Sequence, residues 1–184
     1  MPTKEIAELV KRLVELEIPD DKEIIQTVQT TIGALYSLGK AKQLNYEYYN
    51  VDSERLLELI SKLNKDSLDQ DNQWSAGYYF NSALIRMAAG YHRSLKLIAF
   101  GLGSDLMDLE WKLIKNLIPL VKQAGVNKDK VKMLTKVNSE VNRFKHDQSG
   151  TKERKVDFIT AIQAADELID LNKKAIAYYN SRVQ

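Results

Sequence analysis

The chain has 184 residues, 44% of them hydrophobic and 28% charged, with 8 Gly, 3 Pro and no Cys. That is one domain's worth of ordinary globular composition. It excludes a largely disordered chain, a disulfide scaffold, a cysteine-ligated zinc site and a thiol nucleophile. No run of 18 apolar residues is present, so no membrane span or membrane partner is expected. The N-terminus lacks the apolar stretch of a signal peptide, and a cytoplasmic protein is expected.

The net charge of +2 gives no bulk attraction to nucleic acid. Its distribution is uneven. Residues 1–70 carry 9 Lys and Arg against 13 Asp and Glu, whereas residues 127–155 carry 9 against 4. A basic segment therefore follows an acidic first third.

In chain order, the periodicity predicts helices almost throughout. The first runs from Thr3 to about Ile18 and ends before Pro19. Asp20 or Asp21 caps the second, which carries Ile24, Ile25, Val28, Ile32, Leu35 and Leu38 to about Leu44. The stretch Tyr46–Tyr49 reads as a helix end or loop, and its aromatic rings suit stacking or a protein contact. A third helix is expected from Asp52 to Leu63.

The fourth helix spans about Gln73 to Leu102 and is the longest and most aromatic, closing at Gly101-Leu102-Gly103. On it, Tyr78, Ser82, Ile85, Ala89 and His92 fall near one stripe, and Tyr79, Arg86 and Arg93 near another. Asn81 and Arg86 lie among apolar residues and want polar partners. A fifth helix is expected from Ser104 to Ala124, kinked at Pro119. A sixth opens at Asn127 or Asp129 and ends near Phe144 or Asp147, and a seventh runs from Lys152 to Arg182. The expected fold is therefore all-α: an up-and-down helical bundle with long core helices, residues 71–184, and an N-terminal helical extension, residues 1–70. The wide apolar stripes of the fourth and seventh helices suit a homodimer.

The sharpest chemical feature is Asn142-Arg143-Phe144-Lys145-His146-Asp147. A histidine can move protons near neutral pH. Arg143 lies three residues before His146, and Lys145 adds a cation. Together they could hold a phosphate and supply an acid or base for phosphodiester cleavage. The same residues also suit a cation-rich last turn that merely complements the helix dipole. With two histidines and no metal-binding motif, no metal or cofactor is expected.

Asn81 and Arg86 on an aromatic helix, followed about 60 residues later by a helix ending in Asn-Arg-Phe-Lys-His, resemble the HEPN superfamily. The resemblance covers residues 72–182. It implies a small helical bundle, often dimeric, of ribonucleases in bacterial stress or defence systems, or of their catalytically silent relatives that bind RNA. It makes His146 the catalytic-type histidine, Asn142 the preceding polar residue and Lys145 the adjacent cation. The family's arginine, five to seven residues before the histidine, would stand at positions 139–141. Here these are Ser139, Glu140 and Val141. The resemblance then implies a silent or weakly active RNA- or nucleotide-associated protein, with Asn142, Arg143 and Lys145 as RNA contacts. Two other functions fit the residues. One is a metal-independent ribonuclease using His146, with Arg86 as a phosphate ligand from elsewhere in the fold. The other is a helical module that binds a protein partner.

Overall fold

In the computed structural model, residues 4–43, 75–146 and 155–184 are described. The expected helix at 52–63, the Tyr46–Tyr49 stretch and the break at 148–150 lie outside them. The protein is an all-α helical bundle. Its elements are α1 (Lys4–Val14), α2 (Lys22–Gln43), α3 (Ser75–Gly101), α4 (Leu106–Leu109), α5 (Ile114–Leu117), a 3-10 helix (Ile118–Ala124), α6 (Lys132–His146) and α7 (Phe158–Val183). Among the described residues there is no strand.

α3 is the central element. It packs along α2 on one side and α7 on another, and also touches α6. The core gathers Ile24, Leu35 and Leu38 of α2, Phe80, Leu84, Tyr91 and Ile98 of α3, and Ala161, Ala165 and Leu168 of α7. Residues on both sides of the expected boundary near residue 70 thus share one apolar core. α1 adds Ile6, Leu9 and Leu13 to it. Arg12 fastens α1 to α7 by ion pairs with Asp166 and, at 3.1 Å, Asp170.

Local chemistry explains the helix ends. α1 stops at Val14, a turn before the expected Ile18. Glu15 and Glu17 follow, where negative charge opposes the dipole of a continuing helix. The Asp21 carboxylate caps α2, accepting from the Glu23 N–H at 2.9 Å. Asp157 caps α7, accepting from the Thr160 N–H at 2.7 Å. α7 therefore starts six residues after the expected Lys152. Ile159, in the first turn of α7, is 67% exposed.

α3 ends as its glycines suggest. Gly103 adopts φ 115°, and the Ser104 N–H reaches back to the Ala99 carbonyl at 3.1 Å. Gly101 has a different role, because a Cβ there would lie 2.2 Å from the Tyr178 carbonyl oxygen. Its missing side chain lets α3 and α7 cross closely.

The fifth expected helix, Ser104–Ala124, is corrected by the structure. It is broken into α4, α5 and the 3-10 helix. Leu113 is extended (φ −70°, ψ 153°), which interrupts the helix between Leu109 and Ile114. Pro119 has no N–H to continue α-helical bonding and sits at the start of the 3-10 turn. Gly125 closes that turn at φ 75°, with the Lys174 ammonium donating to the Ala124 carbonyl at 2.7 Å.

The start of α6 is capped from a distance. Asn127 shapes the preceding turn, accepting from the Asp129 and Lys130 N–H groups. The first helical N–H groups instead meet Glu167 of α7. Met133 and Leu134 donate to its carboxylate at 3.1 and 2.9 Å. Desolvation pushes the Glu167 carboxyl above the usual range, partly offset by those two bonds. A carboxyl raised in the folded state costs stability once it ionises, a cost absent below its unfolded pKa. We expect Glu167→Gln to gain stability relative to the natural protein as pH rises from about 4 toward neutrality. Thermal unfolding of both proteins across that range checks this. A difference independent of pH would show that desolvation does not dominate at this carboxylate.

Candidate functional site

A groove of about 1300 Å³ lies between α3, the segment from Leu113 to Lys122, and α6. Its floor is apolar, built from Ile85, Ala88 and Ala89 of α3, Ile114, Ile118, Val131 and Val141. Helical spacing brings Ile85, Ala89 and His92 to one side of α3, and the groove uses that side. Its charged lining is one-sided: Lys115, Lys122, Lys128, Lys132, Lys136 and Lys145 against Asp129 alone. All six lysines are exposed. None holds an ion pair within 4 Å among the described residues.

Two polar side chains are fixed in the groove wall. His92 Nε2–H donates to the Lys112 carbonyl at 2.7 Å. A carbonyl can only accept, so this bond selects the Nε2-protonated tautomer when the ring is neutral. The bond also ties α3 to the break between α4 and α5. Tyr91 is buried, with its hydroxyl 3.4 Å from Thr135 Oγ1 of α6. Burial pushes the Tyr91 phenol above its ordinary range.

The residues of the basic motif separate into three groups. Asn142 and Lys145 are exposed and line the groove. His146 closes α6, and its side chain lies outside the described residues. Arg143 turns inward, where its Nη2 donates to Glu140 Oε1 at 2.5 Å. Glu140 is itself 3% exposed and also accepts from the Lys155 N–H at 3.3 Å. Arg143 is not among the groove-lining residues.

Arg86 lies on the neighbouring side of α3. It lines a smaller hollow with Gln26, Gln29, Thr30 and Arg93. The groove that holds Asn142 and Lys145 does not include it. Asn81 is half-buried on α3. Asp105 caps α4, accepting from the Met107 N–H at 2.9 Å. Among the described residues no group of three or more His, Asp and Glu side chains is placed to hold a metal ion. No described helix is long and apolar enough to cross a membrane.

Of the six groove lysines, the sequence pattern singles out Lys145 and not the other five. They come from three segments whose charges face one another only after folding. The signal available was the net excess of cations in residues 127–155. No family model matches the chain, and neither a characterised protein nor a solved structure does so.

Proposed function

We propose that the protein binds single-stranded RNA in the groove between α3 and α6, as a catalytically silent or weakly active HEPN-like protein in bacterial stress or defence. The six lysines facing a single aspartate carry this reading. Unpaired cations along a channel attract a phosphate backbone and release its counterions. The apolar floor suits base faces, which stack on apolar and aromatic surfaces in a sequence-tolerant way. Asn142 adds an amide at the Lys145 end of the groove.

Catalysis is not needed for this reading. The positions where the family's arginine would stand hold Ser139, Glu140 and Val141, and the buried Glu140 carboxylate binds Arg143. His146 is retained in the proposal as the residue whose replacement tests for cleavage.

Fluorescence anisotropy with a labelled RNA oligonucleotide provides the test, with EDTA present. Binding by the natural protein should weaken with salt, with a log–log slope of about −0.7 per phosphate contacted. Lys132→Glu with Lys136→Glu should weaken binding by about tenfold or more and make that slope shallower. His146→Ala should leave binding in place, with no cleavage by either protein. Cleavage that vanishes in His146→Ala would instead establish the ribonuclease. Binding that ignores both salt and charge reversal would remove the RNA reading.

A second reading draws on the groove's apolar side. Ile85 is 54% and Leu113 60% exposed. An acidic amphipathic helix of a protein partner would cover both residues and meet the lysines. This is the interaction-module function, and it predicts no RNA affinity at any salt concentration.

A further inference from the structure

We infer that the hollow between α2 and α3 that holds Arg86 and Arg93 is a binding site for a phosphoryl anion, separate from the lysine groove. Arg86 and Arg93 lie seven residues apart on α3, two turns along one side of the helix. They line a space of about 330 Å³ with Gln26, Gln29 and Thr30 of α2. No carboxylate is among the lining residues, so two guanidinium groups border the hollow without an acid in it.

The sequence of α2 makes room for this arrangement. A Cβ at Gly33 would lie 2.5 Å from Arg86 Nη1 and 3.2 Å from its Cδ. The Arg86 side chain therefore occupies space opened by a glycine in mid-helix. Glycine there disfavours the helix relative to alanine. Arg93 is fixed at the other end, donating from Nη2 to Gln26 Oε1 at 2.6 Å. That bond consumes the amide oxygen of Gln26 and leaves its NH2 group as a donor. Thr30 donates its hydroxyl to the Gln26 carbonyl, leaving Oγ1 able to accept from a protonated phosphate oxygen.

The hollow thus presents planar, fork-shaped cations and amide N–H groups, with a hydroxyl oxygen as acceptor. This set matches a tetrahedral oxyanion, since guanidinium groups bind phosphate through paired N–H bonds. The nearby acids do not fill it. Glu23 lines the adjoining hollow on the far side of Arg93, with Lys96 and Glu110, which pair with each other at 3.8 Å. The anion is a phosphate or phosphomonoester, either free or at the end of a nucleic acid.

NMR of the arginine Nε–H and glutamine side-chain signals tests the site. Sodium phosphate is titrated against sodium chloride at equal ionic strength. Saturable shifts at Arg86, Arg93 and Gln29 with phosphate alone are expected. Arg86→Gln should weaken phosphate binding by about tenfold. Gly33→Ala keeps every charge and favours the helix, yet places a methyl where the guanidinium lies, so it should also weaken binding. Equal shifts with chloride, or equal phosphate affinity in all three proteins, would overturn the inference. A second arm identifies the source. Tighter binding of a 5′-phosphorylated RNA than of its 5′-hydroxyl twin, lost in Arg86→Gln, assigns the anion to a nucleic-acid terminus. Phosphate shifts without that preference assign it to a free phosphate. If RNA binding in the groove fails altogether, the phosphate titration still decides this site.

Discussion

Arg143→Ala is expected to destabilise the folded protein by about 3–5 kcal/mol and to leave the RNA affinity of the folded fraction unchanged. The size follows from what the substitution strands. The Glu140 side chain is 2% exposed and that of Arg143 18%, so the pair is largely removed from water. A surface pair is worth about 1 kcal/mol or less because solvent screens it. A buried carboxylate that loses its cation keeps its desolvation cost and loses the compensating attraction. The Lys155 N–H would still donate to Glu140, but a single neutral donor cannot replace a guanidinium. Urea unfolding measures the loss. The double variant Glu140→Gln, Arg143→Leu should recover much of it, because an amide oxygen can still accept from Lys155 and no charge remains. A loss below about 1 kcal/mol would mean that the pair behaves as an exposed one. An RNA affinity that falls with an intact fold would return Arg143 to the binding surface.

This pair also shows what the basic motif concealed. In sequence, Asn142, Arg143, Lys145 and His146 look like one cluster of cations and polar groups. On α6 their positions are separated by about 100° per residue, and folding gives them different surroundings. Asn142 and Lys145, three residues apart, share the groove. Arg143 points to Glu140 instead. The decisive residue was Glu140. An acid in a basic helix reads as surface until packing buries it.

Other features were legible because their causes are local. Helical periodicity located every long helix described, and the pair Asp20-Asp21 marked the start of α2, where Asp21 is the cap. The two stripes on α3 were readable from spacing alone. Ile85, Ala89 and His92 of the first line one concavity and Arg86 and Arg93 of the second another, whereas Ser82 and Tyr79 line neither. What could not be read was which segments face those stripes. The lysines opposite Ile85 arise from residues 115–145, and the arginine hollow needs Gln26 and Gln29 from α2. The cap of α6 was hidden for the same reason, since Glu167 lies more than 30 residues downstream. The break after Leu109 was missed because Trp111, Lys112 and Leu113 continue an acceptable helical pattern. Only the extended Leu113 backbone shows the interruption.

Asn172→Ala is expected to cost about 3 kcal/mol, combining lost hydrogen bonds with a small cavity. Asn172 sits in α7 with 0% exposure, as do Thr31 of α2 and Ser94 of α3. Its amide joins all three helices. Thr31 Oγ1 donates to Asn172 Oδ1 at 3.0 Å, while Nδ2 donates to Ser94 Oγ at 3.3 Å and to the Leu168 carbonyl at 2.9 Å. The partners differ in how well they survive its removal. Thr31 can turn its single hydroxyl hydrogen to the Thr27 carbonyl, 3.3 Å away, whereas Ser94 loses the amide N–H that reaches it. Buried polar groups of this kind fix the relative register of helices that apolar contact alone would let slide. Asn172→Leu should therefore remain destabilised, although leucine nearly fills the space. Asn172→Asp separates the polar network from packing, because the shape is almost unchanged. Its introduced carboxyl would be buried, with a folded pKa raised by desolvation. Below its unfolded pKa the neutral acid can donate to Ser94 or Leu168, and the penalty is small. As pH rises the carboxyl must ionise in the core or hold its proton, and stability falls relative to the natural protein. Chemical unfolding at about pH 4 and pH 7 should show that widening gap. A gap of equal size at both would mean that water reaches the site and that the three helices are not locked by this amide.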